Sequence, residues 1–522
     1  MSGLISFDVA VVGCGPVGAL AANFAAAAGL TTLVIDRETG PHPLPRAVHL
    51  DHEMMRLFQS AGIADRIAPL LRETQGHLHV GADHGVIRYM GTAGRPKPFG
   101  WANDYFFYQP ELEAALREGI LRFPHAELRL GVALESLARD DEGVTLELGS
   151  GERRSTARAR FLIACDGARS LVRTSSRIAL EDLQFEEPWL VVDAEVEGPV
   201  RFPELWGVPE AADLQQLSVM MCDPVRPATI VPGRGTIRRW EFMLLPGEDD
   251  AEMMRPNRVA ELLAPFVGDV PHRIVRAATY RFHGLIAERW QDGRIFLAGD
   301  AAHQTPPFFG QGMCHGMRDV ANLTWKLALV MRGAAPLALL DTYQLERDPH
   351  VRRVVSAAID AGRYICELDP TRAAMRDAGL RERARTGAPS AAGELIPPID
   401  DGVVARGTPG AGERFVQPWV ATGGEGRALL DDVTGQGWRL FMRDPTPDDR
   451  SEAARLAPLD VTVVDAGTIA DDGTLGRWLE QRGVRAALVR PDFYVFGTAA
   501  GDIGALVSAA RRALGIQRSP HE

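Results

Sequence analysis

Cysteine is scarce and scattered in this sequence. The chain has 522 residues and five cysteines, and no two of them stand at CxxC or metal-ligand spacing. An odd number of widely spaced cysteines is typical of a protein from a reducing compartment and argues against a disulfide scaffold. We therefore expect a cytoplasmic protein with no metal site. The cysteines are Cys14, Cys165, Cys222, Cys314 and Cys366.

Basic residues and long apolar runs are also in short supply. Lys and Arg number 57 against 69 Asp and Glu, so the formal net charge is −12. Nucleic acids and anionic membranes need a basic face, and neither is expected as a partner. The most apolar stretch, residues 17–30, contains Asn23 and is too short to span a bilayer. Residues 1–7 lack the cationic and apolar regions of a signal peptide.

The chain begins with a pattern typical of a β-α-β unit. Residues 9–12 form a short Val-rich run, as expected of a buried parallel strand. Residues 17–28 are Ala-rich and predict a helix that ends at Gly29, and residues 32–35 predict a second strand. A chain of this length can bury several such units in two or three domains.

The middle of the chain has a different pattern. Apolar segments joined by Pro/Gly turns predict an antiparallel meander between about residues 180 and 280. In its last strand Trp240, Phe242 and Leu244 would share one face. Helical spacing then predicts a long helix over residues 312–331. The predicted meander strands are residues 190–195, 217–222, 228–231 and 238–245.

A glycine-rich fingerprint lies between the first strand and the first helix. The run GCGPVG occupies residues 13–18, and Asp36 ends the second strand. Gly13 permits a tight turn, Gly15 admits a pyrophosphate, and Gly18 lets helix and strand pack closely. Asp36 would accept hydrogen bonds from an adenosine ribose. The pattern predicts dinucleotide binding, against the alternative of a Gly-rich turn in another α/β protein, and leaves FAD and NAD both open.

A second motif, nearly 300 residues later, favours a flavin. Gly299-Asp300 follows a strand-like segment, and the run PPFFGQGM at residues 306–313 leads into the long helix. Asp300 can bind ribityl hydroxyls. The N-terminus of the helix, near Gly312, can stabilise negative charge on a reduced flavin ring.

Together these motifs resemble the single-component aromatic hydroxylases, FAD-dependent monooxygenases typified by para-hydroxybenzoate hydroxylase. The resemblance covers about residues 5–365 and includes Asp166-Gly167, Arg46-Ala47 and Gln109-Pro110. Within the family, the run RWEFMLLPG at residues 239–247 is most similar to the 3-(3-hydroxyphenyl)propionate hydroxylases. The fingerprint and the resemblance together predict these cofactor-binding residues: Gly13, Gly15, Pro16, Val17, Gly18, Asp36, Arg37, Arg46, Ala47, Gln109, Asp166, Gly299, Asp300, Pro307, Gly310, Gln311, Gly312 and Met313.

The resemblance also implies an activity. Members of this family use NADH or NADPH to reduce non-covalent FAD, and a flavin C4a-hydroperoxide formed with O2 then hydroxylates a phenolic ring. In the para-hydroxybenzoate relatives a proline carbonyl faces the substrate, which here would be that of Pro306. The chain has one complete fingerprint, in agreement with a family that lacks a separate nicotinamide domain. The expected partner is a small aromatic substrate.

Candidate substrate residues are less sharply defined. His315, one turn into the flavin-facing helix, is either a substrate contact or proton relay or, the favoured interpretation, a packing or surface histidine. His303 is expected to be structural. Arg234, Arg238 and Arg239 could hold a substrate carboxylate, although exposed strand arginines are commoner. No residue stands out as a catalytic base. The candidate pocket residues are Tyr108, Trp206, Met220, Trp240 and Phe308.

The predicted architecture is α/β with an α+β substrate domain. We expect a Rossmann-like FAD-binding domain in two parts, residues 1–180 and 281–370, around an antiparallel-sheet substrate domain at 181–280. Residues 371–412 are predicted to be a linker. Residues 413–522 resemble the thioredoxin-like domain of many such hydroxylases, but no cysteine follows Cys366, which excludes thioredoxin-type redox exchange. A packing role or a homodimer contact is left for this unit.

Two other functions are compatible with the same motifs. A polyketide hydroxylase or a Baeyer–Villiger-type oxygenase would differ mainly in pocket shape, and the product distinguishes them. A catalytically silent flavin- or ligand-binding protein is the alternative from another class. The acidic and basic residues of the motifs, Arg46, Asp166 and Asp300, argue against it.

Overall fold

Most strands of one large sheet come from the part of the chain before residue 176. A computed structural model describes residues 6–92, 94–386 and 396–516. The strands of the first part are β1 (Ser6–Val12), β2 (Thr32–Asp36), β3 (His49–Asp51), β4 (Leu71–Glu73), β5 (Gly76–Val80), β6 (Val86–Gly91), β7 (Asp104–Phe107), β8 (Ala126–Leu130), β9 (Ala133–Arg139), β10 (Val144–Ser150) and β11 (Arg153–Ala164). Its helices are α1 (Pro16–Ala27), α2 (His52–Ser60), α3 (Ala64–Ile67), α4 (Gln109–Ile120) and α5 (Leu171–Ser175).

The middle part is dominated by long antiparallel strands. Its strands are β12 (Leu180–Val196), β13 (Ser218–Met221), β14 (Ala228–Pro232), β15 (Ile237–Met243), β16 (His272–Ala287), β17 (Gln291–Asp292), β18 (Ile295–Leu297) and β19 (His303–Gln304). Two helices interrupt them, α6 (Asp250–Met253) and α7 (Pro256–Val267).

Three helices lead into the C-terminal unit: α8 (Gly312–Met331), α9 (Thr342–Ile365) and α10 (Pro370–Thr386). The C-terminal strands are β20 (Trp419–Gly423), β21 (Gly426–Leu429), β22 (Arg439–Met442), β23 (Thr462–Asp465), β24 (Ala486–Val489) and β25 (Val495–Ala499). The remaining helices are α11 (Leu430–Thr434), α12 (Pro447–Ala453), α13 (Thr474–Gln481) and α14 (Gly504–Ala513).

Two large sheets position the candidate site. The first runs β17-β18-β11-β1-β2-β8, and its strands from β18 to β8 are parallel. Continuous burial of the apolar runs in β1 and β11 explains this sheet, since a parallel sheet is covered on both faces. The second sheet runs β19-β16-β12-β15-β14-β13-β5-β6. The four predicted meander segments fall on β12, β13, β14 and β15.

Some elements were not anticipated from the sequence. Strands β5 and β6 come from residues before 100 yet join the second sheet, through a parallel pairing of β5 with β13. The predicted linker, residues 371–412, contains α10 over most of its first half, and Asp377 of that helix accepts a hydrogen bond from the amide of Ala82 at 2.8 Å. Residues 387–395 of the linker lie outside the described part of the chain. Within that part, no helix is long and apolar enough to cross a membrane.

The C-terminal unit is attached to the N-terminal part of the chain by buried polar contacts. Its four-stranded sheet runs β23-β22-β24-β25, with helices packed beside it. Arg56 of α2 donates through Nε to Asp431 at 2.7 Å, and both side chains are almost fully buried. Arg439 of β22 contacts the same carboxylate. The buried ion pair between Arg56 and Asp431 fixes the unit against α2.

The Asp432→Ala change should weaken this attachment modestly. Gln59 of α2 donates through Nε2 to Asp432 at 2.7 Å in a partly exposed position. Loss of one such bond is expected to lower the free energy of unfolding by about 1 kcal/mol. Thermal unfolding compared with a Glu425→Ala control, in the exposed turn between β20 and β21, measures the effect. Equal stability of the two variants would contradict the prediction.

Candidate cofactor and substrate site

One cavity joins the two large sheets. Its volume is about 390 Å³, and it lies where the carboxyl ends of β1, β11 and β18 face the second sheet. Ligands of open α/β sheets bind at this edge of the strands. Predicted cofactor residues that line it are Gly15, Pro16, Val17, Arg46, Ala47, Gln109, Asp300, Pro307, Gly310, Gly312 and Met313.

The fingerprint glycines divide into packing positions and an open one. A Cβ on Gly13, whose φ is +93°, would lie 2.4 Å from the carbonyl oxygen of Cys165. A Cβ on Gly18 would lie 1.9 Å from the carbonyl oxygen of Gly13. Gly15, by contrast, has no described atom within 4 Å of its Cβ position. The two tight glycines thus hold strand and helix together, and Gly15 leaves the space that a pyrophosphate needs at the N-terminus of α1.

One face of α4 braces the loops around the cavity. Gln109, Glu113 and Arg117 are four residues apart and therefore share a face. The Gln109 Oε1 atom accepts the backbone amides of Arg46 at 2.7 Å and Ala47 at 2.8 Å, and its Nε2 donates to Glu113 at 2.6 Å. Gln109 thus lines the cavity while its side chain holds the loop of residues 46–47.

The other end of the same face reaches the fingerprint. Arg117 donates through Nε to the carbonyl of Cys14 at 2.9 Å and lies 3.5 Å from Asp36. The Cys14 amide donates to Asp36 at 2.6 Å. Asp36 is therefore tied to the fingerprint turn as well as placed at the end of β2. The side chain of Arg37, predicted with it, is 80% exposed and pairs with Glu38.

The polar groups along the cavity fit a flavin dinucleotide. The Asp300 carboxylate opens into the cavity but is closely surrounded by protein, and this burial raises its pKa, against the lowering effects of His303 and Arg46. The Thr305 Oγ1 atom is buried in the cavity wall without a hydrogen-bond partner among the described residues. An acid, a base and an unpartnered hydroxyl along one channel suit ribityl hydroxyls and a diphosphate.

A buried network holds the Gly299-Asp300 turn from behind. Asp319 of α8 accepts the Gly299 amide at 3.1 Å and His303 Nε2 at 2.6 Å, and its second oxygen accepts Arg347 Nε at 2.9 Å. Burial raises the pKa of the Asp319 carboxyl, but His303 and Arg347 outweigh burial and hold the pKa below its ordinary value. His303 is structural, as expected.

His315 belongs to the same network. It is fully buried, and the nearest polar contact to its ring is Arg347 at 3.4 Å from Nδ1. Burial lowers its pKa well below the ordinary value, with Arg318 and Arg347 acting in the same direction. The side chain is not among the described residues that line the cavity. The favoured interpretation of a packing histidine fits this position, and the substrate contact does not.

The second sheet presents alternate residues to the cavity. Ser218 and Met220 of β13, Thr229 and Val231 of β14, and Arg239 and Glu241 of β15 line it. Successive strand residues point to opposite faces, so the residues between them pack into the second core with Leu190, Val192 and Phe242. Aromatic rings complete the wall. They belong to His49, His77, Phe106, Tyr280, Phe282 and Phe308.

Three of the predicted pocket residues are not among the residues that line the cavity. Trp240 is fully buried on the opposite face of β15 from the cavity. Trp206 is 51% exposed and stacks against the Arg381 guanidinium. Tyr108 follows the last residue of β7, where alternation stops, and Phe106 lines the cavity instead. Met220 and Phe308 do line it, whereas Pro306 stands between the lining residues Thr305 and Pro307.

Arg239 is not the exposed strand arginine that the sequence favoured. It is 3% exposed and donates to Asp193 at 2.7 Å and to the carbonyls of Pro45 and Arg46, both at 2.7 Å. Arg276 of β16 also donates to Pro45. The two arginines and Asp193 therefore attach the second sheet to the loop that carries Arg46. Arg238 is buried as well, and Arg234 pairs with Glu111.

Several lining residues escaped the sequence argument. Glu241, Arg276 and Tyr280 lie on β15 and β16, and His49 and His77 come from separate strands. Glu241 could have been predicted from the sequence, because neighbouring strand residues point to opposite faces and Trp240 points to the core. His77 depends on the pairing of β5 with β13, and His49 on the pairing of β3 with β7, for which no local signal exists.

Comparison with known proteins agrees with this geometry. A family model described as FAD binding domain matches residues 6–358, and one described as HcaD C-terminal domain matches residues 412–513. A probable NADH-specific resorcinol 4-hydroxylase of Rhodococcus jostii is 35% identical, covering 95% of this chain and 93% of its own. A 3-(3-hydroxy-phenyl)propionate/3-hydroxycinnamic acid hydroxylase of Burkholderia cenocepacia is 34% identical, covering 94% and 93%.

Solved structures share the fold over nearly the whole chain. The flavin-dependent monooxygenase PieE, in complex with FAD and substrate, superposes with a TM-score of 0.81 at 24% identity, covering 98% of this chain and 100% of its own. Aklavinone-11 hydroxylase, with FAD and aklavinone, gives 0.76 at 26% identity over 98% and 99%. The predicted resemblance is confirmed. The chain belongs to the FAD-binding hydroxylase family of flavoproteins and is a FAD-dependent monooxygenase.

Proposed function

We propose that this enzyme hydroxylates a small phenolic compound with NADH and O2. The observation that carries the proposal is the single cavity that joins the predicted flavin residues to the aromatic and polar face of the second sheet. The relatives named for resorcinol and hydroxyphenylpropionate hydroxylation support a phenol, and the NADH-specific relative supports NADH over NADPH. Bound FAD, once reduced by the nicotinamide, supplies the activation of oxygen.

The residues of the chain bind, orient and exclude water. We propose that the predicted cofactor set holds FAD, with Gly15 at the pyrophosphate, Asp300 at the ribityl chain and Arg46 at the diphosphate. The N-terminus of α8, at Gly312, has no side-chain cap and would stabilise negative charge on a bound flavin ring. Phe308 and Met220 would pack against the substrate ring and keep water from it.

The named relatives favour a single-ring substrate. They are named for resorcinol and for 3-(3-hydroxy-phenyl)propionate and 3-hydroxycinnamic acid, which are single-ring phenols. We therefore prefer a phenol-sized compound over a polyketide such as the aklavinone bound by the solved relative, and ring hydroxylation over Baeyer–Villiger insertion.

We also propose that the enzyme is cytoplasmic, has the domain divisions predicted above and forms a homodimer. The acidic net charge of −12 and the five free cysteines are in keeping with a cytoplasmic location. Light scattering of the purified protein measures the oligomeric state, and a monomer at micromolar concentration would contradict the homodimer.

The decisive experiment follows NADH and NADPH oxidation by the FAD-loaded enzyme. Resorcinol, 3-(3-hydroxyphenyl)propionate and a polycyclic phenol are supplied in turn, with oxygen uptake, hydrogen peroxide and product mass recorded. We expect one single-ring phenol to stimulate NADH oxidation and to gain one oxygen atom. Stimulation with peroxide alone would show that the ligand is not the substrate. Bound FAD that neither nucleotide reduces, with any of the phenols, would overturn the proposal and favour a silent binding protein.

A further inference from the structure

Glu241 lies in the middle of the substrate-facing sheet. It belongs to β15, on the same face as Arg239 and the opposite face from Trp240 and Phe242. Its side chain is 15% exposed, and that exposure is to the cavity. A carboxylate is unusual in such a wall, since ionised groups away from water are expected to be paired or hydrogen-bonded.

Most of the other charged groups on this face already have partners, the Nε atom of Arg276 being the exception. Asp193 stands directly opposite Arg239 on one neighbouring strand and opposite Arg276 on the other. All three nitrogen atoms of the Arg239 guanidinium have acceptors at 2.7 Å, namely Asp193 and the carbonyls of Pro45 and Arg46. Arg239 is thus fully occupied in holding the loop of residues 45–46, and has little left to offer Glu241.

Glu241 itself lacks such a partner. The residues directly across from it are Val191 on β12 and Thr229 on β14, and neither is charged. Its nearest cation is the Arg239 Nη1 atom, 3.9 Å away, which donates to the Arg46 carbonyl instead. Over residues 6–92, 94–386 and 396–516, no donor lies within hydrogen-bonding distance of its carboxylate. A ligand donor is what this acceptor lacks.

We propose that Glu241 accepts a hydrogen bond from the hydroxyl group of the phenolic substrate and takes its proton as the ring is oxygenated. The inference rests on the proposed function and adds a catalytic residue to it. The O–H bond of the phenol breaks, the proton moves to a carboxylate oxygen of Glu241, and the electron pair stays on the phenolate oxygen. The phenolate is the more electron-rich ring, which is the form that an electrophilic oxygen attacks. The substrate class is therefore a phenol with a free hydroxyl.

The environment of Glu241 suits a base. Burial raises its pKa, and Asp193 raises it further, against the lowering effects of Arg239 and Arg276. A general base works best with a pKa near the operating pH. His49 and His77 also line the cavity and titrate. Burial lowers the pKa of His49, but its hydrogen bond to Asp104 outweighs burial and raises it. Burial lowers the pKa of His77 to about 4, with His49 acting in the same direction. A pH response is therefore assigned to Glu241 only if Glu241→Gln abolishes it.

The test compares each phenol with its methyl ether, which cannot donate. Resorcinol against its dimethyl ether, and 3-(3-hydroxyphenyl)propionate against its methyl ether, are titrated calorimetrically into FAD-loaded enzyme. The wild type should bind the free phenol roughly tenfold to a hundredfold more tightly, as a charge-assisted hydrogen bond predicts. In Glu241→Gln the preference should shrink to a few-fold, with flavin content unchanged. Glu195→Gln, an exposed glutamate on the same sheet paired with Arg273, is the matched control and should keep the preference.

Two further readouts separate this role from a structural one. In the wild type the preference for the phenol should fall as pH is lowered through the raised pKa of Glu241, and in Glu241→Gln it should not change over the same range. Glu241→Asp should restore part of the preference and of the coupling of NADH oxidation to product. If the wild type binds and oxygenates a phenol but Glu241→Gln keeps the preference over the ether, the inference falls alone. If the wild type responds to no phenol, the proposed function falls with it.

Discussion

Asp319→Asn is expected to lower the free energy of unfolding by about 3–5 kcal/mol and to release most of the bound FAD. Asp319 is fully buried and is the acceptor for the Gly299 amide, His303 and Arg347. Its removal leaves the Arg347 guanidinium buried without the carboxylate that balances it, which is costly in a dry interior. It also frees the turn that presents Asp300 to the cavity.

Chemical denaturation of the apoprotein and the flavin-to-protein absorbance ratio measure the two effects. Asp360→Asn is the control, since Asp360 lies on the exposed face of α9 in an ion pair with Arg363. Surface changes of this kind stay within about 0.5 kcal/mol. A variant with wild-type stability would show that burial of Arg347 does not require Asp319. If such a variant also lost flavin, only the position of the Gly299-Asp300 turn would depend on Asp319.

The same carboxylate gives the stability a defined pH dependence. The pKa of Asp319 is lower in the folded state than in the unfolded chain. Its contribution is therefore fully present above the unfolded value and is lost as pH falls through the folded value. Below neutral pH, the free energy of unfolding of Asp319→Asn should therefore fall less steeply with decreasing pH than that of the wild type.

The elements with strong local signals could be predicted from the sequence. The predicted helix at residues 312–331 matches α8. The predicted β-α-β unit matches β1, α1 and β2 to within a few residues at each end. Glycine spacing, Val-rich runs and helical periodicity are properties of neighbouring residues, so the chain alone reveals them.

The parts of the site that depend on distant pairing could not be predicted. Asp193 and Arg276 are 83 positions apart and become neighbours through the register of β12 with β16. His77 reaches the cavity because β5 joins β13 across more than 130 residues. Such pairings are determined by the packing of whole sheets, and no pattern within a short segment predicts them.

The cavity-facing residues of β15 could nevertheless have been predicted from the alternation of side chains along the strand. The predicted common face of Trp240, Phe242 and Leu244 is confirmed, because all three lie in the second core. The alternation that put them together also puts Arg239 and Glu241 on the other face. Since a large aromatic residue prefers the core, the cavity face of β15 is the one with the polar side chains. Trp240 is aromatic and was therefore a candidate for the pocket, but its position in the alternation of β15 places it on the core face.

Gly15→Val is expected to give a folded protein whose affinity for FAD is roughly a hundredfold lower, since a side chain there occupies the approach to the pyrophosphate. The backbone at Gly15 has φ −70° and ψ −174°, which a β-branched residue adopts without strain. No described atom lies within 4 Å of its Cβ position. The apoprotein should therefore unfold at nearly the wild-type temperature.

Gly18→Ala is the informative comparison. Its Cβ would lie 1.9 Å from the Gly13 carbonyl oxygen, so the clash is with the protein's own backbone. This variant should lose stability whether FAD is present or not. Flavin content by absorbance, secondary structure by circular dichroism and apoprotein thermal midpoints separate the two glycines. If Gly15→Val retains full flavin, the pyrophosphate does not pass over Gly15, and the open space there belongs to solvent. If it loses flavin and keeps its fold, the fingerprint turn is the cofactor's contact point.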